Sequence, residues 1–334
     1  MPSENDLHRN ALNRAPLLAV EGLSRRYGSL EAVKNIAFEV RQGDVLGFLG
    51  PNGAGKTTTM QMLTGNLAAS QGRITVAGHD LRDEPRAAKA ALGYLPEQPP
   101  LYRDLSVDEY LDYCAALHRI ARAQRRAARE SAKDKCGLNE VGRRLIGNLS
   151  KGYQQRVGIA QAIIHLPPVI ILDEPTAGLD PIQIREIRHL IRELGQEHSV
   201  ILSTHILPEV QSVCNRVQII HKGALVLSDS IDGLTQRMQT SVLTVAFRAT
   251  PDPRLIAQLP GVKNVEAAAD GTLRVYHEPT ADPSEALVKL AAEKNWGLTQ
   301  LTPQHATLED IFVELTTEDR VTPAPAPPLV HSPS

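Results

Sequence analysis

The segment "DVLGFLGPNGAGKTTTM", Asp44–Met60, constrains the fold more than any other stretch. An apolar run ends in a turn carrying Gly50, Gly53 and Gly55, and "KTTTMQML" then continues without a helix breaker. Strand, glycine-rich turn and helix in that order call for a sheet whose strands feed crossover helices. Gly50, Gly55, Lys56 and Thr57 fit the spacing G-x-x-x-x-G-K-[ST]. The loop formed by Gly50, Pro51, Asn52, Gly53, Ala54 and Gly55, followed by Lys56, Thr57 and Thr58, is therefore expected to bind phosphate. Its glycines let backbone N–H groups turn inward, and the helix N-terminus adds a favourable partial charge. Lys56 is expected to reach the β- and γ-phosphates and Thr57 to ligate magnesium. The flanking strand and helix argue against an ordinary Gly-rich turn and for a nucleoside triphosphate site.

A second segment, "VIILDEPTAGLD", supplies what such a site lacks. Val169–Leu172 reads as a buried strand that carries Asp173 to its C-terminal end, where ligands sit in open α/β sheets. Asp173 is placed to hold the metal, directly or through water. Glu174 is placed to orient or deprotonate an attacking water, which points to hydrolysis rather than binding alone. Alone, the two acids would also read as capping groups for the helix after Pro175; beside Lys56 that reading loses force.

A chain of 334 residues is long enough for two domains. With 36 basic and 38 acidic residues its net charge is -2, so no global positive field favours nucleic acid. Cys114, Cys136 and Cys214 lie far apart without metal-ligand spacing, which suggests plain thiols in a reducing compartment. "MPSENDLHRN" lacks an apolar leader core, and no run approaches the roughly 18 apolar residues of a spanning helix.

From Leu17 to about Ser228, strand-like runs alternate with helical ones, which predicts a mixed or mainly parallel sheet. The candidate strands are "LLAVEGLSRRY", "EAVKNIAFEV", "DVLGFLG", "VIILDEP", "SVILSTH" and "RVQIIHKG". Ser106 to Lys135 is Ala- and Arg-rich with apolar residues at helical spacing, which reads as an inserted helical subdomain. Near Thr240 the order strand, helix, strand, strand, helix, strand begins on a smaller scale and suggests a ferredoxin-like unit. "PSEALVKLAAEKN" is its second helix, with Ser284 near the N-cap and Asn295-Trp296-Gly297 at the end. "LEDIFVELTT" is expected to close the folded region as a short amphipathic helix. "TPAPAPPLVHSPS" reads as a disordered Pro-rich tail, with a docking motif as the alternative.

Taken together, the phosphate loop, "LSKGYQQR", "VIILDEPTAGLD" and "STH", in that order, resemble the nucleotide-binding subunit of ATP-binding cassette (ABC) transporters. The resemblance covers roughly Leu17 to Ser228. It implies an α/β P-loop ATPase at 17–235, with a helical subdomain at about 97–160. The remainder is expected to comprise a disordered arm at 1–16, a small α+β domain at 240–318 and a disordered tail at 319–334. ATP and Mg2+ are the implied cofactors. Tyr27, in "SRRYG", matches the family's adenine-stacking aromatic, Asp180 the loop that reaches across a dimer, and His205 the histidine that contacts the γ-phosphate. Taken singly, Tyr27 also reads as a half-exposed strand residue and His205 as a satisfied core histidine; their place in the series assigns them.

The family arrangement sets Ser150 and Gly152 against the γ-phosphate held by a second copy, so a dimer with two shared ATP sites is expected. This chain departs from the family's commonest signature, L-S-G-G-Q, by having Lys151 and Tyr153 at its third and fifth positions. Lys151 either adds charge near the phosphates or is solvated. In "GYLPEQPPLYRDLSV" the family's metal- and water-linking glutamine is replaced by Glu97, with Gln98 following. Either residue is a candidate for that role, and Glu97 also for metal ligation.

The resemblance further implies a separate membrane permease, docking near Pro99 to Leu117, and a peripheral location on the cytoplasmic face of a bacterial membrane. The basic run with Arg122, Arg125, Arg126, Arg129 and Lys133 reads as a solvated helix face or, alternatively, a lipid-binding patch. "GYLPE", "LSKGYQQR" and "LEDIFVELT" are similar to an exporter branch serving drug, polysaccharide, gliding-motility and nitrous-oxide-reductase maturation systems. Two competing readings are a permease-free ATPase acting on ribosomes or DNA and a regulatory module that has lost hydrolysis. The single set of motifs weighs against the first, and Glu174 against the second.

Overall fold

The computed structural model describes residues 15–237, 242–249, 251–268, 271–278 and 281–304, together with 312, 315 and 316. The expected disordered arm (apart from residues 15 and 16) and the Pro-rich tail lie outside these residues. Of the expected closing helix, Phe312, Leu315 and Thr316 are described and are helical. The chain divides between Ile231 and Asp232 into two compact units.

The first unit begins with β1 (Leu18–Tyr27), β2 (Leu30–Val40), β3 (Val45–Leu49) and α1 (Lys56–Leu63). It continues with β4 (Gln71–Val76), β5 (His79–Asp80), α2 (Pro85–Ala90) and β6 (Leu92–Leu95). Three helices follow, α3 (Val107–Leu117), α4 (Arg122–Cys136) and α5 (Lys151–Ile163). The unit then returns to its sheet with β7 (Val169–Asp173), α6 (Pro181–Glu197), β8 (Ser199–Thr204), α7 (Leu207–Val213), β9 (Arg216–His221) and β10 (Ala224–Ser230). Helix α8 (Ile231–Arg237) starts at the division.

Two sheets form where one mixed or mainly parallel sheet was expected. Strands β2-β1-β4-β5 make an antiparallel sheet, while β10-β9-β3-β8-β7-β6 make a second sheet that is parallel except at β10. β3 and β7 are buried at every residue, as strands covered on both faces must be. Met60, Met62 and Leu63 of α1 pack into one core with Val20, Phe38 and Val76 from the antiparallel sheet and Phe48 and Ile171 from the parallel one. On α6 the buried Ile187, Leu190, Ile191 and Leu194 recur at helical spacing. Asp180 caps that helix by accepting from the N–H groups of Ile182 and Gln183, each at 3.0 Å.

The Ala- and Arg-rich run is broken in two. After α3, Arg119 adopts a left-handed backbone (φ 58°), and the N–H groups of Arg119 and Ile120 return to the carbonyls of Ala116 and Ala115. Arg122 and Arg126 are exposed, whereas Arg129 and Lys133 are drawn into the fold. Arg129 pairs with Asp112 at 2.6 Å and with Glu130 at 2.9 Å, and buried Lys133 pairs with Asp108 at 2.6 Å. The acids on α3 thus form an interhelical seam with Arg129 and Lys133, while Arg122 and Arg126 stay on the exposed helix face.

The second unit contains β11 (Val242–Phe247), α9 (Pro253–Ala257), β12 (Val262–Ala267), β13 (Leu273–His277), α10 (Ser284–Glu293) and β14 (Leu298–Gln304). Its antiparallel order, β12-β13-β11-β14, is that of a ferredoxin-like split βαβ unit. Leu243, Val245, Val275, Leu287 and Trp296 form its core, with the Phe247 and Trp296 rings edge to face at 5.6 Å. Pro283 rather than Ser284 occupies the N-cap of α10. The capping acceptor is Asp282 Oδ1, which takes the N–H and hydroxyl of Ser284 at 2.9 and 2.6 Å.

Candidate functional site

The loop between β3 and α1 is shaped by its glycines. A Cβ on Gly50 would collide with the carbonyl oxygen of Ile220, and one on Gly55 would sit 2.7 Å from that of Ala32. Gly55 caps α1 in a left-handed conformation (φ 108°), which side chains rarely adopt. It has no side chain to occupy the first N–H groups of the helix, so these point outward as donors. Lys56 is only 6% exposed and turns back over the loop. Its Nζ donates to the carbonyls of Gly50 and Pro51 at 2.9 and 3.3 Å and lies 3.4 Å from Glu174 Oε1.

β7 delivers Asp173 to the same place. The carboxylate is fully buried, and neither oxygen makes a hydrogen bond of ordinary geometry. Burial pushes its pKa above the usual aspartate range; the Ser203 and Thr57 hydroxyls oppose the rise, and the Glu174 and Glu97 carboxylates add to it. The next residue, Glu174, is held in the left-handed region (φ 47°), and its N–H donates to the Ser203 carbonyl at 2.9 Å. Its two carboxylate oxygens lie 3.1 and 3.0 Å from His205 Nδ1, at the end of β8.

A cleft of ≈ 270 Å³ brings together residues far apart in sequence: Asn52, Gly53, Gly55, Lys56, Thr57, Thr58, Glu97, Glu174 and His205. Glu97 and Gln98 are both exposed, but only Glu97 lines it. Tyr27 does not line it either. That ring is 45% exposed at the end of β1, with the Arg25 guanidinium 4.7 Å from its centroid.

The "LSKGYQQR" turn is also absent from this cleft. Ser150 caps α5, its hydroxyl accepting from the N–H of Tyr153 at 3.4 Å. Lys151 is exposed, with its amine over Gly178 where a side chain would otherwise go. A Cβ on Gly152 would meet the Gln183 side chain at 2.7 Å. Thus this turn packs against the segment containing Asp180, and Ser150 and Gly152 do not share a cleft with the phosphate loop.

Sequence reasoning overlooked Ser203 and Glu209, the polar groups behind Asp173, Glu174 and His205. Ser203 meets Asp173 only through the pairing of β7 with β8, and Glu209, although near Thr204 in sequence, reaches Thr176 only in the folded chain.

The residues 33–177 match the family model described as "ABC transporter". The chain is 34% identical over 301 residues to the bacitracin transport ATP-binding protein BcrA of Bacillus licheniformis, covering 90% of this chain and 97% of the relative. It is 30% identical over 307 residues to the daunorubicin resistance ATP-binding protein DrrA3 of Streptomyces coeruleorubidus, covering 91% and 96%. Among solved structures, cbiO1 of Clostridium perfringens, part of the ABC transporter complex cbiONQ, superposes with a TM-score of 0.61 at 29% identity, covering 66% of this chain and 91% of that one. The phosphate loop, the acidic pair after β7 and these likenesses agree, and the chain belongs to the ATP-binding subunits of ABC transporters, enzymes that hydrolyse ATP to ADP and phosphate.

Proposed function

We propose that this subunit closes with a second copy on two shared ATP molecules and thereby drives a separate membrane permease as an exporter. One observation carries the reading. The cleft holds Lys56, Thr57, Glu97, Glu174 and His205, while the Ser150–Gly152 turn is a second anion-friendly helix end outside that cleft. A head-to-tail pair would give each cleft the other copy's turn.

Within one cleft, Glu174 takes a proton from the attacking water, and His205, in contact with Glu174, faces the γ-phosphate. Lys56 leaves the loop carbonyls for the β- and γ-phosphates. Asp173 and Thr57 fit Mg2+, because a buried carboxylate without hydrogen-bond partners beside a hydroxyl is a hard-oxygen donor set, and the remaining ligands would be phosphate and water. When bound, the ion neutralises charge developing on the phosphates. Glu97 rather than Gln98 serves at the family's glutamine position, because only Glu97 lines the cleft. Tyr27 offers adenine the ring face that Arg25 does not cover, and Asp180 shapes the loop facing the partner copy.

The unit that ends at Ile231, four residues before the expected boundary at 235, is the ATPase domain, and the unit from Asp232 is an accessory domain. Exposed Tyr102, Tyr113 and Leu117 suit an apolar permease segment. Among the described residues no helix is long and apolar enough to cross a membrane. Attachment to the cytoplasmic face of a bacterial membrane therefore comes through the permease. Export is favoured by likeness to proteins named for bacitracin transport and daunorubicin resistance.

The test is Glu174→Gln. Turnover should fall by about 10²–10⁴-fold with ATP still bound, and light scattering should show a stable dimer in ATP. A variant that remains monomeric in ATP would refute the shared-site reading. Purification in mild detergent should recover a membrane protein; recovery with ribosomes instead would overturn the permease assignment.

A further inference from the structure

We infer that Glu209 is a positioning residue for ATP hydrolysis, a single buried carboxylate that locks together the two loops carrying Glu174 and His205. The inference rests on the roles proposed above for those two residues.

Glu209 lies in α7, outside the cleft lining, and is only 1% exposed. An isolated ionised carboxylate in such surroundings is costly, so its partners reveal what keeps it there. One oxygen, Oε1, accepts from the hydroxyl of Thr176 and lies 3.9 Å from Arg188 Nη2. The other, Oε2, accepts from the hydroxyl of Thr204 at 2.7 Å. Thr176 follows Glu174 by two residues, and Thr204 immediately precedes His205.

These bonds converge with backbone ones. Thr204 Oγ1 also accepts from the N–H of Ile206 at 3.1 Å, which fixes the turn on both sides of His205. The Glu174 N–H is held by the Ser203 carbonyl, and the Thr204 carbonyl accepts from the Gly50 N–H at 3.4 Å. Glu209 is therefore the side chain that joins the acid's loop, the histidine's loop and, through Thr204, the start of the phosphate loop. A carboxylate with two oxygens suits this task because each oxygen satisfies a different loop, whereas a monodentate group would leave one hydroxyl unpaired. The left-handed backbone at Glu174 needs such external support, since a strained conformer persists only when its surroundings over-determine it.

The test measures steady-state ATP hydrolysis by the full chain, with Glu174→Gln assayed alongside. Glu209→Leu removes both threonine bonds, and Glu209→Gln retains an acceptor and a donor in the same place. Loosening a reacting group by a fraction of an ångström to 1 Å predicts a kcat loss of about 30-fold for Leu and about threefold for Gln, with the ATP KM within about twofold of wild type. A purely structural role would lower the melting temperature and leave kcat per folded molecule intact.

The inference is overturned if Glu209→Leu keeps kcat within about threefold, or if its loss lies in KM. Should Glu209→Leu fail to fold, Thr176→Val and Thr204→Val decide, each removing one bond at constant shape. A kcat loss of about tenfold in each at unchanged KM supports the inference, and wild-type kcat in both overturns it. An active Glu174→Gln would defeat the site assignment itself. An inactive Glu174→Gln beside an unaffected Glu209 series would defeat only the role of Glu209.

Discussion

The N-termini of α1 and α5 resemble each other locally and differ in how they are finished. Each helix opens with a lysine, Lys56 or Lys151, and neither has an acidic residue in its first turn. Both positive helix ends are therefore left for an anion to neutralise. At α1 the cap is a glycine with no side chain, and the lysine is buried over its own loop with Glu174 3.4 Å away. At α5 the cap is Ser150, whose bond to Tyr153 is long at 3.4 Å, and the lysine is exposed over Gly178. One end sits in the cleft with Glu97, Glu174 and His205, and the other lies outside it, where the proposed mechanism brings a second copy. The difference teaches that one anion-binding device can serve as a whole reaction centre or as a removable wall of one, depending on what surrounds it.

The sharpest way to break this comparison is a pair of variants. Ser150→Arg should cut ATP turnover by at least about 10²-fold, the scale of losing a positioned donor, with the monomer's affinity for nucleotide unchanged. Lys56→Ala should instead weaken nucleotide binding by about 10–100-fold through loss of a charged hydrogen-bond donor. Turnover assays and titration with a fluorescent nucleotide separate the two, and equal binding defects in both would collapse the distinction.

A smaller effect concerns the cost of the reaction centre. Burial raises the pKa of Asp173, so the folded protein holds a proton there more tightly than the unfolded chain does. That contribution is favourable at acidic pH and is lost as pH rises through the window from the ordinary aspartate value to the raised one. At neutral pH, without nucleotide or metal, Asp173→Asn should therefore stabilise. A gain of about 1 kcal/mol would raise Tm by about 2–4 °C by calorimetry, while Mg2+-dependent turnover disappears. An unchanged or lower Tm would show that the carboxylate is not under strain. The smallest effect belongs to the other end: Ser150→Ala should cost at most about 1 kcal/mol, read from urea unfolding, because the long cap bond is weak.

Much of this molecule is legible in local pattern. The continuous apolar runs Val45–Leu49 and Val169–Leu172 mark β3 and β7, and the glycine spacing marks the turn between β3 and α1. The small unit is equally readable, because its strands alternate around Leu243, Val245 and Val275. What escapes is non-local. Gln71–Val76 becomes β4 only because β1 offers it an edge, and its exposed first half carries no strand signal. The break at Arg119 involves neither glycine nor proline. Arg129 and Lys133 of α4 look free until Asp108 and Asp112 of α3 are brought beside them. Likewise Glu97 separates from Gln98 only in three dimensions, and Glu209 gains meaning only from Thr176 and Thr204.

The backbone of Glu174 sets the terms on which turnover can be lost. A left-handed conformation penalises glutamate and most other side chains, whereas glycine tolerates it freely and asparagine better than most. Replacing Glu174 by either would relieve the backbone but would also leave the buried Lys56 amine without the carboxylate 3.4 Å away. The two effects oppose each other, and the contacts of Glu174 with Lys56 and His205 are what hold its carboxylate in a conformation its backbone resists. In the mechanism proposed above, the groups that hold this strained residue in place are thus the same ones that face the phosphates.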